Sequence, residues 1–403
     1  MLDIKFIREN SKKVKQGAEN KGIKIDIDKI LKLNEKRRSS IQDIEELKAE
    51  KNKLGIENRD RGREIKNKIK DLEPRLEKIK EEFSKLMLEI PNIPLDDVPI
   101  GKDEKHNKVI RKVGSTKKSS KDYLKIAEEL DIIDIKRASK VSGTRFGYLK
   151  NQAVLLELGL VQLAFDVLRK KNFIPIIPPA MIKPEMMKAM GYTERGEDEI
   201  YYINKDNLYL IGTAEQAIGP MHANEIFNKR DLPKRYVGFS PCFRREAGSY
   251  GKDTKGILRV HQFDKVEMFS FCKPENSAKE HKLFLSLEEK LMKLLKIPYR
   301  VVQVCTGDLG DPAASKFDIE SWMSGQNKYR ETHSTSNCTD FQSRRLNIRY
   351  RGKKGLEFVH TLNGTAFAVG RMIISIIENY QQKDGSIEVP KALQKYTRFK
   401  KIN

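Results

Sequence analysis

Four cysteines in 403 residues, Cys242, Cys272, Cys305 and Cys338, stand 30 or more residues apart with no CxxC among them. That excludes a disulfide framework and leaves no structural zinc site legible in the sequence. No signal-like apolar start precedes them, so the thiols read as those of a reduced protein of the cytoplasm. No uninterrupted apolar run approaches the ~18 residues of a membrane-spanning helix, and no membrane partner is expected. Neither GxGxxG nor GxxxxGK followed by Ser or Thr occurs, which removes local support for the dinucleotide fingerprint and the P-loop. Internal repeats and sustained low-complexity tracts are absent too.

What is present is positive charge and core-forming material. Lys and Arg number 79 against 57 Asp and Glu, a formal charge of +22, while 38% of residues are hydrophobic and 17 are Phe. The chain can bury full-sized cores, and at ~100–200 residues per domain two or three domains are expected. The cationic surplus favours an anionic partner such as nucleic acid, although general lysine enrichment gives the same sign.

The first part of the chain has helical periodicity. Ile30, Leu33, Ile41, Ile44, Leu47 and Leu54 form a seam interrupted at Arg37 and Lys51, where long cationic side chains pack imperfectly or snorkel. Ile65, Ile69, Leu72, Leu76, Ile79, Phe83, Leu86 and Ile90 then follow with alternating gaps of four and three, keeping one stripe toward a partner. The intervening GIENRDRG, Gly55 to Gly62, supplies flexible breakpoints. A reversal near Asn58 to Gly62 is expected, giving an antiparallel hairpin over about residues 28–90; an oligomeric coiled coil would carry the same stripe. At ~1.5 Å per residue, an arm of about 30 residues reaches roughly 45 Å. Pro91, Pro94 and Pro99 then oppose helix continuation. The expected division is an N-terminal domain over 1–100, a linker or lead-in over 101–120, and a catalytic-sized domain over 121–403.

Beyond the linker, residues 151–171 read as a largely buried helix followed by an extended run, Phe173 to Pro179. Strands are expected at Leu208–Gly212, Arg235–Ser240, Gln262–Phe271, Tyr299–Val304 and Gly355–Leu362, and helices at Ser277–Leu295 and Phe367–Tyr380. Periodicity leaves open whether the sheet is parallel or antiparallel. The densest chemical segment is FSPCFRREAGSYGKDTKGILRVHQFDKVEMF, residues 239–269. In a strand–loop–strand hairpin, Arg244 can offer a planar fork to a phosphate and Arg259 a second cation; a solvent-facing salt bridge is the blander alternative for each.

This segment closely resembles motif 2 of class II aminoacyl-tRNA synthetases in the bacterial-type seryl-tRNA synthetase form, FRxEAGSxGxDTxGxxRxHQFxKVE, with every fixed position present. The resemblance covers essentially the whole chain, through PNIPLDDVPIGKDEKHN, SGTRFGYLK, TAEQ at 213–216, SNCTDFQSRR at 336–345 and LNGTAFAVGR at 362–371. The class I signatures HIGH and KMSKS are missing. The implied fold is α+β: a helical coiled-coil hairpin plus a class II catalytic domain on an antiparallel sheet flanked by helices. Motif 1 falls at about 151–179, motif 2 at about 236–269 and motif 3 at about 356–380.

The resemblance implies a serine–tRNA ligase that activates L-serine with ATP to seryl-adenylate and transfers the seryl group to tRNA(Ser). It makes tRNA(Sec) a further candidate acceptor and motif 1 a homodimer interface. Arg244 is assigned to the ATP α-phosphate and Arg371 to the γ-phosphate side, with Arg259 near the terminal phosphates. Glu246 looks like the contact of the adenine amino group, and Phe263 like the ring stacked on adenine, with Val260 beside them. Glu331 and Ser334 resemble the Mg²⁺-side residues of an EISS sequence that reads Glu331, Thr332, His333, Ser334 here; the resemblance places all four at ATP, although His333 departs from the pattern. Thr213, Glu215, Glu267, Asn363 and Thr365, with Arg244, match the serine pocket; Ala366 stands where glycine is common, so the strand is expected to approach substrate less closely. His261 is not expected to be a general base.

The helical arm resembles the one that holds the long variable arm of tRNA. Residues 1–90 carry 25 Lys and Arg against 19 Asp and Glu, so reach rather than charge recommends it. Arg37, Lys51, Arg59, Arg61 and Arg63 are RNA-facing candidates, each with a solvated-charge alternative. The competing functions are an amino-acid or carrier-protein ligase of the same fold, a non-catalytic tRNA-binding paralogue, and a coiled-coil assembly protein.

Overall fold

The computed structural model describes residues 1–55, 58–116, 121–247, 253, 255–353 and 355–403. They form two compact units, Met1–Ile93 and Pro94–Asn403.

The first unit is helical: α1 (Ile4–Glu9), α2 (Ser11–Asn20), α3 (Ile27–Lys53) and α4 (Arg59–Glu89). Asp26 starts α3 by accepting the Lys29 N–H at 2.9 Å, satisfying one of the donors that a first turn leaves unpaired. The arms run in opposite directions: Lys29 pairs with Glu82 at 2.8 Å, Lys48 with Glu73 at 2.9 Å, and Glu50 with Arg61 at 2.7 Å. These half-exposed pairs contribute little energy and mainly record the register. Cohesion comes from apolar burial, with Leu2, Ile7, Val14, Ile27, Ile30, Leu33, Phe83, Met87 and Ile90 forming one cluster, and Ile44, Ile65 and Leu76 buried further along the arms. The interruption at Arg37 is absorbed by snorkelling, since its guanidinium stands 4.7 Å from the centroid of the Phe83 ring. The reversal lies earlier than the glycine spacing suggests. Arg59 to Gly62 are already helical, and Ile56 and Glu57 of the expected breakpoint lie outside the described residues.

The second unit is built on an eight-stranded sheet. Its main elements are β1 (Lys108–Val113), α5 (Gln152–Arg169), β2 (Phe173–Ile176), β3 (Lys234–Phe243), β4 (Gln262–Cys272), α6 (Ser277–Leu295), β5 (Tyr299–Gln303), β6 (Ser315–Met323), β7 (Lys328–Thr339), β8 (His360–Ala368) and α7 (Val369–Tyr380). The strand order is β1-β5-β6-β7-β8-β4-β3-β2. All neighbours are antiparallel except the edge pair β2 and β3. The stretch 101–120, expected as a linker or lead-in, falls within this unit and carries β1; its last four residues, 117–120, lie outside the described residues.

Side-chain alternation divides the two faces. Along β4, Val266 and Met268 enter the main core with residues of α5, α6 and α7, while Phe269 and Phe271 join a second cluster. Lys265 and Glu267 line a cavity instead. Gly364 on β8 is needed for close packing, because a Cβ there would meet Phe284 at 2.9 Å and Glu288 at 3.0 Å. The sequence reading misses β6 and β7 and runs Gly355–Leu362 together as one strand. In fact Gly355–Phe358 belongs to a small separate sheet, and β8 begins at His360. Strands rich in Ser, Thr and charged residues on their cavity face lack the apolar alternation by which strands are read.

Candidate active site

On the cavity side of the sheet lies a cleft of about 650 Å³ lined by β3, β4, β6, β7, β8 and the turn before residue 215. Two β-bulges set which residues reach it. On β7 the pairing passes from Ile319↔His333 to Glu320↔Glu331, leaving Thr332 as the extra residue. Glu331 and Ser334, three apart, would face opposite sides of a regular strand, yet both line the cleft. On β8 the pairing steps from Phe367↔Val266 to Thr365↔Glu267, so Thr365 sits directly across from Glu267.

At one end the polar groups are linked. Thr213 Oγ1 accepts from Lys265 Nζ at 3.1 Å, and Lys265 pairs with Glu267 Oε2 at 2.5 Å. Thr365 Oγ1 donates to Glu267 at 3.4 Å. Gln216, next in the chain after Glu215, accepts the Gly212 N–H at 2.7 Å and holds the turn that presents Thr213. Asn363 Nδ2 approaches Cys338 Sγ at 3.6 Å. Burial raises the Glu267 carboxyl, while Lys265 and Arg244 oppose the rise. Burial, together with the nearby Glu267 charge, pushes Glu215 up to about 7.

At the other end, Arg371 Nη1 donates to the Glu331 carbonyl at 2.8 Å and lies 3.5 Å from its carboxylate. Arg259 pairs with Glu246 at 2.8 Å, and Glu246 is held at a positive φ of 54°. Lys316 pairs with Asp318 at 3.3 Å. Burial works to raise the Glu331 carboxyl, but Arg371, Lys316, Arg244 and Lys265 together hold it below the usual carboxylate range.

Arg244 stands between the two ends, with its charge acting on both Glu267 and Glu331. Among the described residues it has no ion-pair partner; its Nε donates to the Gly212 carbonyl at 3.2 Å, and its guanidinium lies 5.3 Å from the Phe263 ring centroid. A cation left uncommitted between paired ones fits an incoming anion.

Thr213, Glu215, Arg244, Glu246, Arg259, Val260, Phe263, Glu267, Glu331, Thr332, Ser334, Asn363, Thr365 and Arg371 all line this one cleft. His333 does not. Its ring packs at 5.7 Å from the Phe367 ring and its Nδ1 lies 2.9 Å from Thr332 Oγ1; burial lowers its pKa to about 3, leaving it neutral. A regular alternation from Ser334 turns the side chain of residue 333 to the core, so of the four residues Glu331 to Ser334 that the resemblance placed together at ATP, His333 is the one whose side chain lies away from the cleft. Ala366 is likewise in the main core and does not line the cleft, so its extra methyl does not stand between strand and substrate. His261 is structural, its Nδ1 donating to the Arg244 carbonyl at 3.0 Å. Of the motif 2 connection, Gly248–Lys252 and Thr254 lie outside the described residues.

Sequence reasoning missed Lys265, Lys316, Tyr192 and Cys338 as cleft residues. Lys265 had a signal, its two-residue spacing from Glu267 on a strand. The others had none. Of the arm candidates, Lys51, Arg59 and Arg63 are exposed, whereas Arg37 is spent on Phe83 and Arg61 on Glu50 and Glu64.

Comparison with known proteins bears on the same residues. The family described as Seryl-tRNA synthetase N-terminal domain matches residues 1–94. The family described as tRNA synthetase class II core domain (G, H, P, S and T) matches residues 199–380. The chain is 46% identical over 421 residues to the serine–tRNA ligase of Dictyoglomus thermophilum, covering 100% of this chain and 99% of that protein. Among solved structures, seryl-tRNA synthetase from Pyrococcus horikoshii complexed with ATP aligns with a TM-score of 0.93 and 44% identity, covering 100% of this chain and 99% of that one. The cytoplasmic serine–tRNA ligase from Naegleria fowleri in complex with AMP aligns with a TM-score of 0.91 and 33% identity at the same coverages.

Proposed function

The chain belongs to the seryl-tRNA synthetase family of serine–tRNA ligases, and from that premise we propose how its own residues divide the reaction. The observation that carries the division is Arg244, an uncommitted cation acting on both Glu267 and Glu331. Serine binds at the Glu267 end: Glu215 and Glu267 receive its ammonium, while Thr213, Asn363 and Thr365 surround its hydroxyl. A polar pocket built around a hydroxyl rejects alanine by leaving its own groups unpaired. ATP binds at the Glu331 end, with Phe263 beneath adenine, Glu246 at its amino group, Val260 and the main chain of Thr332 alongside, and Arg259 and Arg371 on the terminal phosphates.

Arg244 then neutralises the α-phosphate and orients the serine carboxylate. A carboxylate oxygen attacks the α-phosphorus and pyrophosphate leaves, forming seryl-adenylate. The 3′-hydroxyl of the terminal adenosine of tRNA attacks the carbonyl carbon, and AMP departs. Orientation and charge neutralisation supply the catalysis; no side-chain nucleophile is needed.

No cluster of three His, Cys, Asp or Glu side chains that could hold a metal occurs among the described residues. The donor set fits Mg²⁺ held jointly with substrate phosphates, since such an ion keeps most of its shell as water and phosphate oxygens. Glu331 and Ser334 would hold it, and it would neutralise charge on the transferring phosphates.

Exposed Val154, Leu155, Leu158, Ile174 and Ile177 along the motif 1 region support a homodimer. The arm, through Lys51, Arg59 and Arg63, receives tRNA(Ser), with tRNA(Sec) as a further acceptor to be tested. Four free cysteines accord with a reducing cytoplasm. The deciding experiment is serine-dependent ATP–pyrophosphate exchange followed by aminoacylation of purified tRNA(Ser). Exchange without charging would favour an amino-acid or carrier-protein ligase; no exchange by folded, Mg²⁺-replete protein would overturn the proposal.

A further inference from the structure

Glu215 is only 3% exposed, yet both of its carboxylate oxygens are engaged by separate donors. Tyr192 Oη donates to Oε2 at 2.8 Å and Gln342 Nε2 to Oε1 at 2.8 Å. Gln342, fully buried, has its amide turned by a third group, because Thr361 Oγ1 donates to its Oε1 at 2.7 Å. That contact spends the Gln342 oxygen and leaves its NH₂ for Glu215; the reverse orientation would set a carbonyl against a carboxylate. Each carboxylate oxygen accepts more than one hydrogen bond, so acceptor capacity remains on the cleft side. We propose that Thr361, Gln342 and Tyr192 are positioning residues which together aim the Glu215 carboxylate into the cleft and thereby set the affinity for the amino-acid substrate. This inference rests on the reading that the Glu215 end of the cleft binds serine.

The chain of contacts has an electrostatic consequence. Burial and the facing Glu267 raise the Glu215 carboxyl and Gln342, Tyr192 and, more weakly, Lys265 oppose the rise, which leaves it at about 7. The charged and titratable groups facing it are thus Glu267 and Lys265 on β4 and Tyr192 beyond the short helix Pro184–Met190. Removing either neutral donor disfavours the ionised form, so the pH at which the substrate-binding carboxylate forms moves upward.

The experiment is serine-dependent ATP–pyrophosphate exchange by the intact chain across pH 5.5–9, comparing the parent with Tyr192→Phe, Gln342→Met and Thr361→Ser. Tyr192→Phe is expected to raise KM for serine roughly tenfold, the scale of one hydrogen bond to a charged group. KM for ATP should hold, and the acidic limb of kcat/KM for serine should shift to higher pH. Gln342→Met is expected to act in the same direction, and Thr361→Ser, which keeps the hydroxyl, to stay near the parent. A purely structural role would lower the active fraction without moving KM or the limb. If Tyr192→Phe, which retains the ring, leaves both at parental values, the inference is overturned. Absence of exchange in the parent would instead overturn the serine-binding reading.

Discussion

Breaking the Lys265–Glu267 pair from one side tests the electrostatics of the cleft most directly. The side chains are 10% and 1% exposed with 2.5 Å between charged atoms. At an effective dielectric of ~20, that separation corresponds to a gross attraction of about 7 kcal/mol, most of which offsets the desolvation of the two ions. Lys265→Met removes the attraction and leaves the desolvation of Glu267 in place. A loss of about 3–5 kcal/mol at neutral pH is expected. The sign with pH follows from linkage. Burial already raises the folded-state pKa of Glu267 above its unfolded value, Lys265 is the strongest opposing influence, and the substitution raises it further. A folded state with a raised carboxyl pKa takes up a proton that the unfolded state releases, so stability falls as pH rises from the unfolded value through the folded one. The deficit of Lys265→Met relative to the parent should therefore be larger at pH 8 than near pH 5. Urea unfolding followed by fluorescence suits the measurement, because the single tryptophan, Trp322, lies on β6 and reports the second unit alone. The double variant Lys265→Met/Glu267→Gln should recover most of the loss, since neither ion remains to be desolvated. An unchanged midpoint at pH 8, or a deficit that neither depends on pH nor recovers in the double variant, would refute the reasoning.

Other consequences are open to the same kind of check. Arg244→Ala should lower serine-dependent exchange by about 10²–10³-fold with little change in unfolding midpoint, because the side chain contributes charge to the cleft and one hydrogen bond to the fold. Replacing Lys51, Arg59 and Arg63 together by Gln should raise KM for tRNA and flatten its salt dependence, with exchange preserved; an unchanged salt slope would remove these residues from the RNA interface. Gly364→Ala should cost about 1–3 kcal/mol of second-unit stability in the same urea assay, since the added methyl has no room against Phe284, Glu288 and Thr335. Leu158→Asp, at an exposed apolar position on α5, should shift the protein toward monomer in sedimentation analysis; an unaltered oligomeric state would discount that face.

Local periodicity was enough for the elements whose neighbours in sequence are their neighbours in space. The four-three spacing from Ile65 to Ile90 gave the second arm, and the apolar face of Ser277–Leu295 gave α6 with its boundaries intact. The motif from Phe239 to Phe269 similarly located β3, β4 and the arginines between them. Strands β6 and β7 were harder, because Lys316, Asp318, Glu331 and Ser334 place polar groups where a reader of alternation looks for apolar ones.

The amino-acid order by itself therefore determined the helical arm, the cleft-bearing strands of motif 2 and fourteen of the residues that meet in the cleft. It could not orient those residues. A single extra residue at Thr332 reverses the phase of β7, bringing Glu331 to the cleft while His333 stays in the core, and no two-residue period survives such a bulge. Nor could it find Gln342, which touches Glu215 across 127 positions of chain. Such contacts depend on which strands and helices become neighbours, and that is decided when the sheet closes its own hydrogen bonds and buries one face beneath α5, α6 and α7.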